Sequence, residues 1–286
     1  MPEADKSILI TGCSSGIGLC AAETLLKRGY RVFATARKAE DVLTLQQAGF
    51  TDALQLDLND SNSIRQAVDE VLKKNNNKLF ALFNNGAYQQ PGAVEDLSRQ
   101  ALRDNFETNL FGTHELTNLI LPVMRQQGYG RVIQNSSILG FIALPYRGAY
   151  NASKFALEAL TDTLRLEFKL TNATIYISLI EPGPISSSFK QNSYKAFVKN
   201  IDSNASFHQQ NYLGLEKRLS SKDKKAPFTL TEDAVVEKLL HALESKKPKN
   251  RYYVTKPTQW FAVAKRILPA GMLENIILKV AKDELK

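Results

Sequence analysis

The stretch that decides the fold is SILITGCSSGIG, residues 7–18: a short apolar run, SILI, feeding directly into Thr11-Gly12-Cys13-Ser14-Ser15-Gly16-Ile17-Gly18. From residue 17 to 28 the apolar residues fall at helical spacing, and Gly29 follows as a natural helix C-cap. A strand, a glycine-rich turn and a helix in direct succession form an anion cradle. Gly12 permits the tight turn, Gly16 lets backbone approach a pyrophosphate, and Gly18 allows close packing of helix on strand. The first N–H groups of the helix, with Ser14, Ser15 and Ile17 lining the turn, face the anion. Glycine alone also serves ordinary loops, so the placement between strand and helix carries the inference.

Outward from this turn, short apolar runs alternate with longer helical patterns. Strands are expected at 7–11, 31–36, 53–56, 79–84, 131–136 and 174–180, and helices at 17–28, 61–73, 98–125 and 150–170. Strands alternating with helices specify right-handed βαβ units, hence a doubly wound parallel α/β sheet covered on both faces. At 286 residues, one such domain spanning 1–286 accounts for the whole chain. A polar stretch at 186–227, too long for an ordinary connection, is expected to be a lid or disordered. Beyond it come a helix at 231–245 capped by Thr231, a last strand at 251–255, and a tail at 258–286 of two amphipathic pieces broken at Pro269.

Composition narrows the function. With 43% hydrophobic and 23% charged residues the chain is globular. The N-terminus lacks a secretory layout, and no apolar run approaches the roughly 18 residues of a transmembrane helix. The terminal KDELK is not a retention signal, because Lys286 follows Leu285. Cys13 and Cys20 suit reduced thiols, which makes the cytoplasm the expected compartment. The net charge of +8 gathers in late lysine runs that read as solvated faces, so no nucleic-acid partner is expected, nor any metal.

The second strand ends Ala36-Arg37-Lys38, without the acidic residue that would hold the ribose hydroxyls of NAD. Arg37 there accommodates a 2′-phosphate and selects NADP(H); its alternative reading is a solvated surface arginine. Tyr150 and Lys154 sit about one helical turn apart in the pattern at 149–170, so both share a face, where the ammonium stabilises a phenolate. With 10 tyrosines in the chain, about one such pair arises by chance. A second pair, Tyr252 and Lys256, lies in an extended pattern before Pro257 and is rejected on geometry.

These residues resemble the short-chain dehydrogenase/reductase family, from residue 7 to about 188. The likeness runs in order through the TGCSSGIG turn, Asp57 and Leu58 after the third strand, Asn84-Asn85-Gly86-Ala87, Asn109, Ser137, Tyr150, Lys154 and Pro182-Gly183-Pro184-Ile185. The resemblance implies a Rossmann-type fold and a catalytic tetrad of Asn109, Ser137, Tyr150 and Lys154. Ser137 would hydrogen-bond the substrate oxygen, with Ser136 the competing candidate, and Asn109 would hold a water for proton relay. It also implies cofactor contacts at Asp57, Leu58, Asn84, Gly86, Pro182, Gly183 and Ile185, and at Ser187, which stands where the family often has a threonine against the carboxamide. The family usually has Asn-Asn-Ala-Gly where this chain has Asn-Asn-Gly-Ala, so the small pair is inverted. Within the family the chain is similar to the hydroxysteroid and retinol dehydrogenase branch and to related bacterial aldehyde reductases.

The reading is therefore an NADP(H)-dependent oxidoreductase that interconverts a small-molecule carbonyl and alcohol, as a homodimer or homotetramer. Phe189, Tyr194, Phe197 and Tyr212 in the lid stand for apolar substrate contacts or for packing of the lid itself. Two rival readings are a non-catalytic NADP(H)-binding redox sensor and a peripheral membrane protein lying on its tail, around Trp260, Phe261 and Ile267.

Overall fold

The computed structural model describes residues 6–171, 174–186, 189–221 and 227–285. Ser187 lies outside them.

The sheet is parallel throughout, as the βαβ alternation requires. Strands β1 (Ser7–Ile10), β2 (Arg31–Ala36), β3 (Leu54–Gln55), β4 (Ala81–Asn84), β5 (Gly130–Asn135), β6 (Ile175–Glu181) and β7 (Arg251–Tyr253) line up in the order β3-β2-β1-β4-β5-β6-β7. The direction of winding reverses between β1 and β4, and Ile8 pairs with Ala81 and Ile10 with Phe83 across that seam. A reversal of this kind opens a crevice at the carboxyl ends of the strands, where ligands bind in open α/β sheets.

Every residue of β1, β4 and β5 is buried, the expected state of strands covered on both faces. One face packs on α1 (Gly16–Lys27), α2 (Ala39–Gln47) and α9 (Asp233–Glu244) through Leu25, Leu45 and Leu239. The other packs on α3 (Ser61–Lys74), α5 (Gly112–Gln127) and α6 (Gly148–Leu170) through Val68, Ile120 and Phe168. Gly29 ends α1 as expected, at φ 78°, with Tyr30 N–H reaching back to the Leu25 carbonyl 3.0 Å away.

Three expectations need correction. The helix foreseen at 98–125 is three pieces: α4 (Arg99–Phe106), a π-turn (Glu107–Phe111) and α5. The described part of the 186–227 stretch carries two helices, α7 (Phe189–Asn200) and α8 (Gln209–Ser220), joined by turns and packed around their own small core of Phe197, Tyr212 and Leu215. That core assigns Phe197 and Tyr212 to lid packing. Thr231 does not cap α9: the N-cap is Glu232, and the Thr231 hydroxyl donates to the Asp233 carboxylate at 3.1 Å.

The tail folds as α10 (Lys256–Ile267) and α11 (Ala270–Glu284), separated at Pro269. Phe261 and Ala281 face inward, whereas Trp260, Val263, Ile267 and Met272 are exposed. Near its end Glu284 pairs at 2.5 Å with Arg147, the buried residue that precedes α6. Among the described residues no helix is long and apolar enough to cross a membrane.

Candidate active site

The glycine turn closes against the end of β4. Gly12 and Gly16 both adopt positive φ, 72° and 60°. At Gly18 a Cβ would lie 2.2 Å from the Gly12 carbonyl oxygen, so α1 approaches the turn as closely as only glycine allows. Asn85, passed over in the sequence reading, ties the turn down. Its side-chain amide donates to the Thr11 carbonyl at 3.0 Å, and the backbone N–H groups of Asn85 and Gly86 donate to the Thr11 hydroxyl at 2.9 and 2.8 Å. Asn84 differs: its buried side chain turns to α5 and donates to Thr117 at 2.9 Å. The inverted Gly86-Ala87 order has a local reason, because a Cβ at Gly86 would press on Leu58 Cδ1 at 3.2 Å and the Thr11 hydroxyl at 3.3 Å.

Ser14 and Ser15 are exposed in the turn and Ile17 is half-buried at the start of α1, whose first turn carries no acidic residue to compete with an anion. Arg37 is exposed at the end of β2, and Gln55 holds its carbonyl at 2.9 Å. The nearest acid, Glu40, is already paired with Lys38 at 2.8 Å. Asp57 and Leu58 follow β3, with the Asp57 carboxylate accepting from the Asn59 N–H at 3.0 Å. A phosphate-bearing dinucleotide fits this donor set: a cradle with no room for side chains, free of first-turn acids, with a guanidinium at the next strand end.

The second half of the site stands at the ends of β5 and β6. Ser137 caps a 3-10 turn (Ile138–Gly140), its hydroxyl accepting from the Leu139 N–H at 3.1 Å and donating to the Pro182 carbonyl at 3.5 Å, and it lies beside the Tyr150 phenol. The alternative, Ser136, faces away and donates to Glu158 at 2.6 Å. Burial pushes the Tyr150 phenol far above its ordinary value, and the neighbouring Ser137 hydroxyl pulls part of the way back. Phe189 of α7 lies edge-on to the same ring, with centroids 5.6 Å apart.

One turn along α6, Lys154 is buried, donates to the Asn135 carbonyl at 2.7 Å, and sits 5.7 Å from the Tyr150 ring centroid. Burial lowers its ammonium to about 8, against the opposing pull of Glu158. Asn109 sits in the π-turn and is buried. Its carbonyl oxygen accepts from the Tyr88 N–H at 3.0 Å, while its amide donates to the Tyr88 carbonyl at 2.9 Å and the Ser153 hydroxyl at 3.1 Å. An extra residue in a helical turn is a frequent device at functional sites, and here it points Asn109 at α6.

Pro182 and Gly183 close the site. The Pro182 carbonyl accepts from the Ile138 N–H at 2.8 Å, and Gly183 leaves space that a Cβ would lose to Thr255, 2.2 Å away. Ile185 bridges to Leu230. The rejected pair stays apart in role: Tyr252 is in β7 and binds His241 at 2.9 Å, while Lys256 opens α10 on the surface.

Known proteins resemble this chain over most of its length. The short chain dehydrogenase family model matches residues 6–196. The oxidoreductase YbbO of Escherichia coli K12 is 42% identical over 272 residues, covering 95% of this chain and 94% of its own. The NADPH-dependent 3-dehydrocapnine reductase of Ornithobacterium rhinotracheale is 32% identical, covering 96% of each chain. A short-chain dehydrogenase from Streptomyces avermitilis superposes with a TM-score of 0.73 at 27% identity, over 99% of this chain and 97% of its own. With the turn, the Tyr150 and Lys154 geometry and these likenesses together, the chain belongs to the short-chain dehydrogenase family of oxidoreductases.

Proposed function

We propose that this chain is an NADP(H)-dependent reductase that interconverts an aldehyde or ketone and its alcohol, with Tyr150 as general acid and base. The observation that carries the reading is the buried Tyr150 ring at the end of the sheet with the buried Lys154 ammonium one turn along α6, 5.7 Å from the ring centroid. When bound, the nicotinamide supplies or accepts the hydride at the substrate carbon. The turn from Gly12 to Gly18 would hold the pyrophosphate on the α1 N-terminus, and Arg37 the 2′-phosphate. Lys154, reaching past Tyr150, would hold the nicotinamide ribose, with Pro182, Gly183 and Ile185 beside the ring.

Ser137 would donate to the carbonyl oxygen and fix it beside the Tyr150 hydroxyl, which gives its proton to that oxygen as charge develops there. The Lys154 ammonium lowers the cost of the resulting phenolate. Asn109, tied to α6 through Ser153, would orient a water that returns the proton. Residues 186–227 would act as the substrate lid, with Phe189 shielding the phenol from solvent. The NADPH-dependent relative supports the choice of dinucleotide, and Arg37 supports it independently.

The test is NADPH and NADH oxidation by the purified protein over a panel of aldehydes, ketones and steroids. Tyr150→Phe is expected to reduce turnover by about 10²–10⁴-fold or more while leaving NADPH binding intact. Comparable turnover in Tyr150→Phe would remove the assigned role, and tight NADPH binding without turnover on any compound would favour the redox sensor.

A further inference from the structure

Beneath the site lies a buried charge cluster that the chemistry above does not use. Glu158 follows Lys154 by one helical turn on α6 and is 5% exposed. Its Oε1 accepts from Ser136 at 2.6 Å, and its Oε2 accepts from Arg251 of β7, also at 2.6 Å. Arg251 further binds Asp162 of α6 at 2.5 Å and Glu181 at the end of β6. Asp162 in turn pairs with Arg165 at 2.6 Å. Gly140 makes room for the arrangement, since a Cβ there would meet Glu158 Oε1 at 2.2 Å and Ser136 Oγ at 2.5 Å.

Glu181 is fully buried, and its Oε2 has no hydrogen-bond partner among the described residues. Burial, with the Glu158 charge beside it, raises its carboxyl well above the ordinary glutamate range. The titratable and charged groups facing this centre and Lys154 are Tyr150, Glu158, Asp162 and Arg165 on α6, Glu181 on β6 and Arg251 on β7. Arg251 and Arg165 offset Glu158 and Asp162. Lys154 donates to the carbonyl of Asn135, and the next residue, Ser136, donates to Glu158, so one strand end registers both side chains.

We propose that Glu158 is a positioning residue for this site: held by Ser136 and Arg251 from two separate strand ends, its buried carboxylate keeps Lys154 an ammonium. The claim deepens the reductase reading, on which its catalytic meaning rests, but the ionisation of Lys154 is measurable without any substrate.

The experiment is a pH titration of the purified protein, with lysine carrying ¹³C, by NMR. The Lys154 signal is identified by its loss in Lys154→Arg. In the wild type it should titrate near pH 8. In Glu158→Gln it should titrate about one to two pH units lower, the size expected for removing a charge one helical turn away at an effective dielectric near 20. Glu158→Asp, which keeps the charge, should titrate close to wild type, whereas a purely structural role would make Asp and Gln behave alike. An unchanged Lys154 titration in folded Glu158→Gln overturns the proposal.

Glu158→Gln leaves Arg251 two carboxyl partners and should fold. Should it not, the wild-type titration of Lys154 decides: a midpoint near 8 or above supports an ammonium at neutral pH, and a midpoint below about 7 overturns it. Where turnover is found, the high-pH limb of kcat/KM should move down with Lys154 in Glu158→Gln. Absence of turnover in the wild type would count against the reductase reading and leave the Lys154 titration standing on its own.

Discussion

The substitution Gly18→Ala tests the cradle most directly. The added methyl would sit 2.2 Å from the Gly12 carbonyl oxygen, 2.7 Å from Asn85 Nδ2 and 2.9 Å from the Gly12 carbonyl carbon. Ordinary contact begins near 3.4 Å, so α1 must back away from the turn by about 1 Å. Neither obstacle yields cheaply, because one is backbone and the other is the amide that fastens the turn to β4. Overpacking of this kind costs about 1–3 kcal/mol, or a fall in Tm of about 2–5 °C for a domain of this size.

The larger effect is on the dinucleotide. In the wild type, NADPH at 100 times its Kd adds about 2.7 kcal/mol of stability; a hundredfold loss of affinity at the same concentration leaves about 0.4 kcal/mol. Thermal unfolding of both proteins with and without NADPH therefore reads the cradle and the fold separately. Gly29→Ala is the control: at φ 78° with open space around it, it incurs only backbone strain, about 1 kcal/mol, and should keep the full NADPH shift. An undiminished NADPH shift in Gly18→Ala would refute the placement of the pyrophosphate.

Asn109→Ala strips partners from Tyr88 and Ser153 in a dry setting, so denaturant unfolding should show a loss of about 2–4 kcal/mol. Arg37→Ala should lower kcat/KM for NADPH by about 10–100-fold and leave NADH nearly unchanged, measured as initial rates with each cofactor. Lys154 has its folded pKa at about 8, depressed from 10.5, so the folded state binds fewer protons than the unfolded one between those values and the lysine's penalty fades as pH rises. Relative to wild type, Lys154→Met should be most favoured at pH 7, and the gap in Tm should narrow from about pH 8 to 10.5; a gap independent of pH would contradict the burial of a charged lysine.

The first turn and the seven-strand sheet were legible in the sequence because each rests on local spacing: strand, glycine turn and helix are consecutive. The preference for Ser137 over Ser136 came from the family resemblance, and the structure turns Ser136 to Glu158. What escaped depends on distant partners. A π-turn adds one residue to a helix without disturbing the apolar pattern enough to see, so 98–125 read as continuous. The α7 and α8 helices bury only a narrow stripe against each other, which leaves their composition as polar as a loop. Glu158 reads as a solvated residue between Leu157 and Leu160 until Arg251, 93 positions later, is brought against it. Asn85 is likewise explained by the carbonyls of Thr11 and Gly12, 74 and 73 residues earlier, and by the Asn135 amide, 50 residues later.

The Arg251 clasp also bears on how the chain folds. Glu158, Asp162 and Glu181 are made well before the strand that carries their shared cation, and β7 follows α7, α8 and α9 in the chain. Until then α6 would have to bury the Glu158 carboxylate without its counter-ion, which is strongly unfavourable. A nascent chain that stops short of residue 251 therefore holds the glycine turn in reach of its native form and the Tyr150 helix out of it. Dinucleotide binding is expected to mature before Tyr150 and Lys154 are set in place, and the Arg251 contact with Glu158, between residues about ninety positions apart, is of the kind that makes a domain slow to fold.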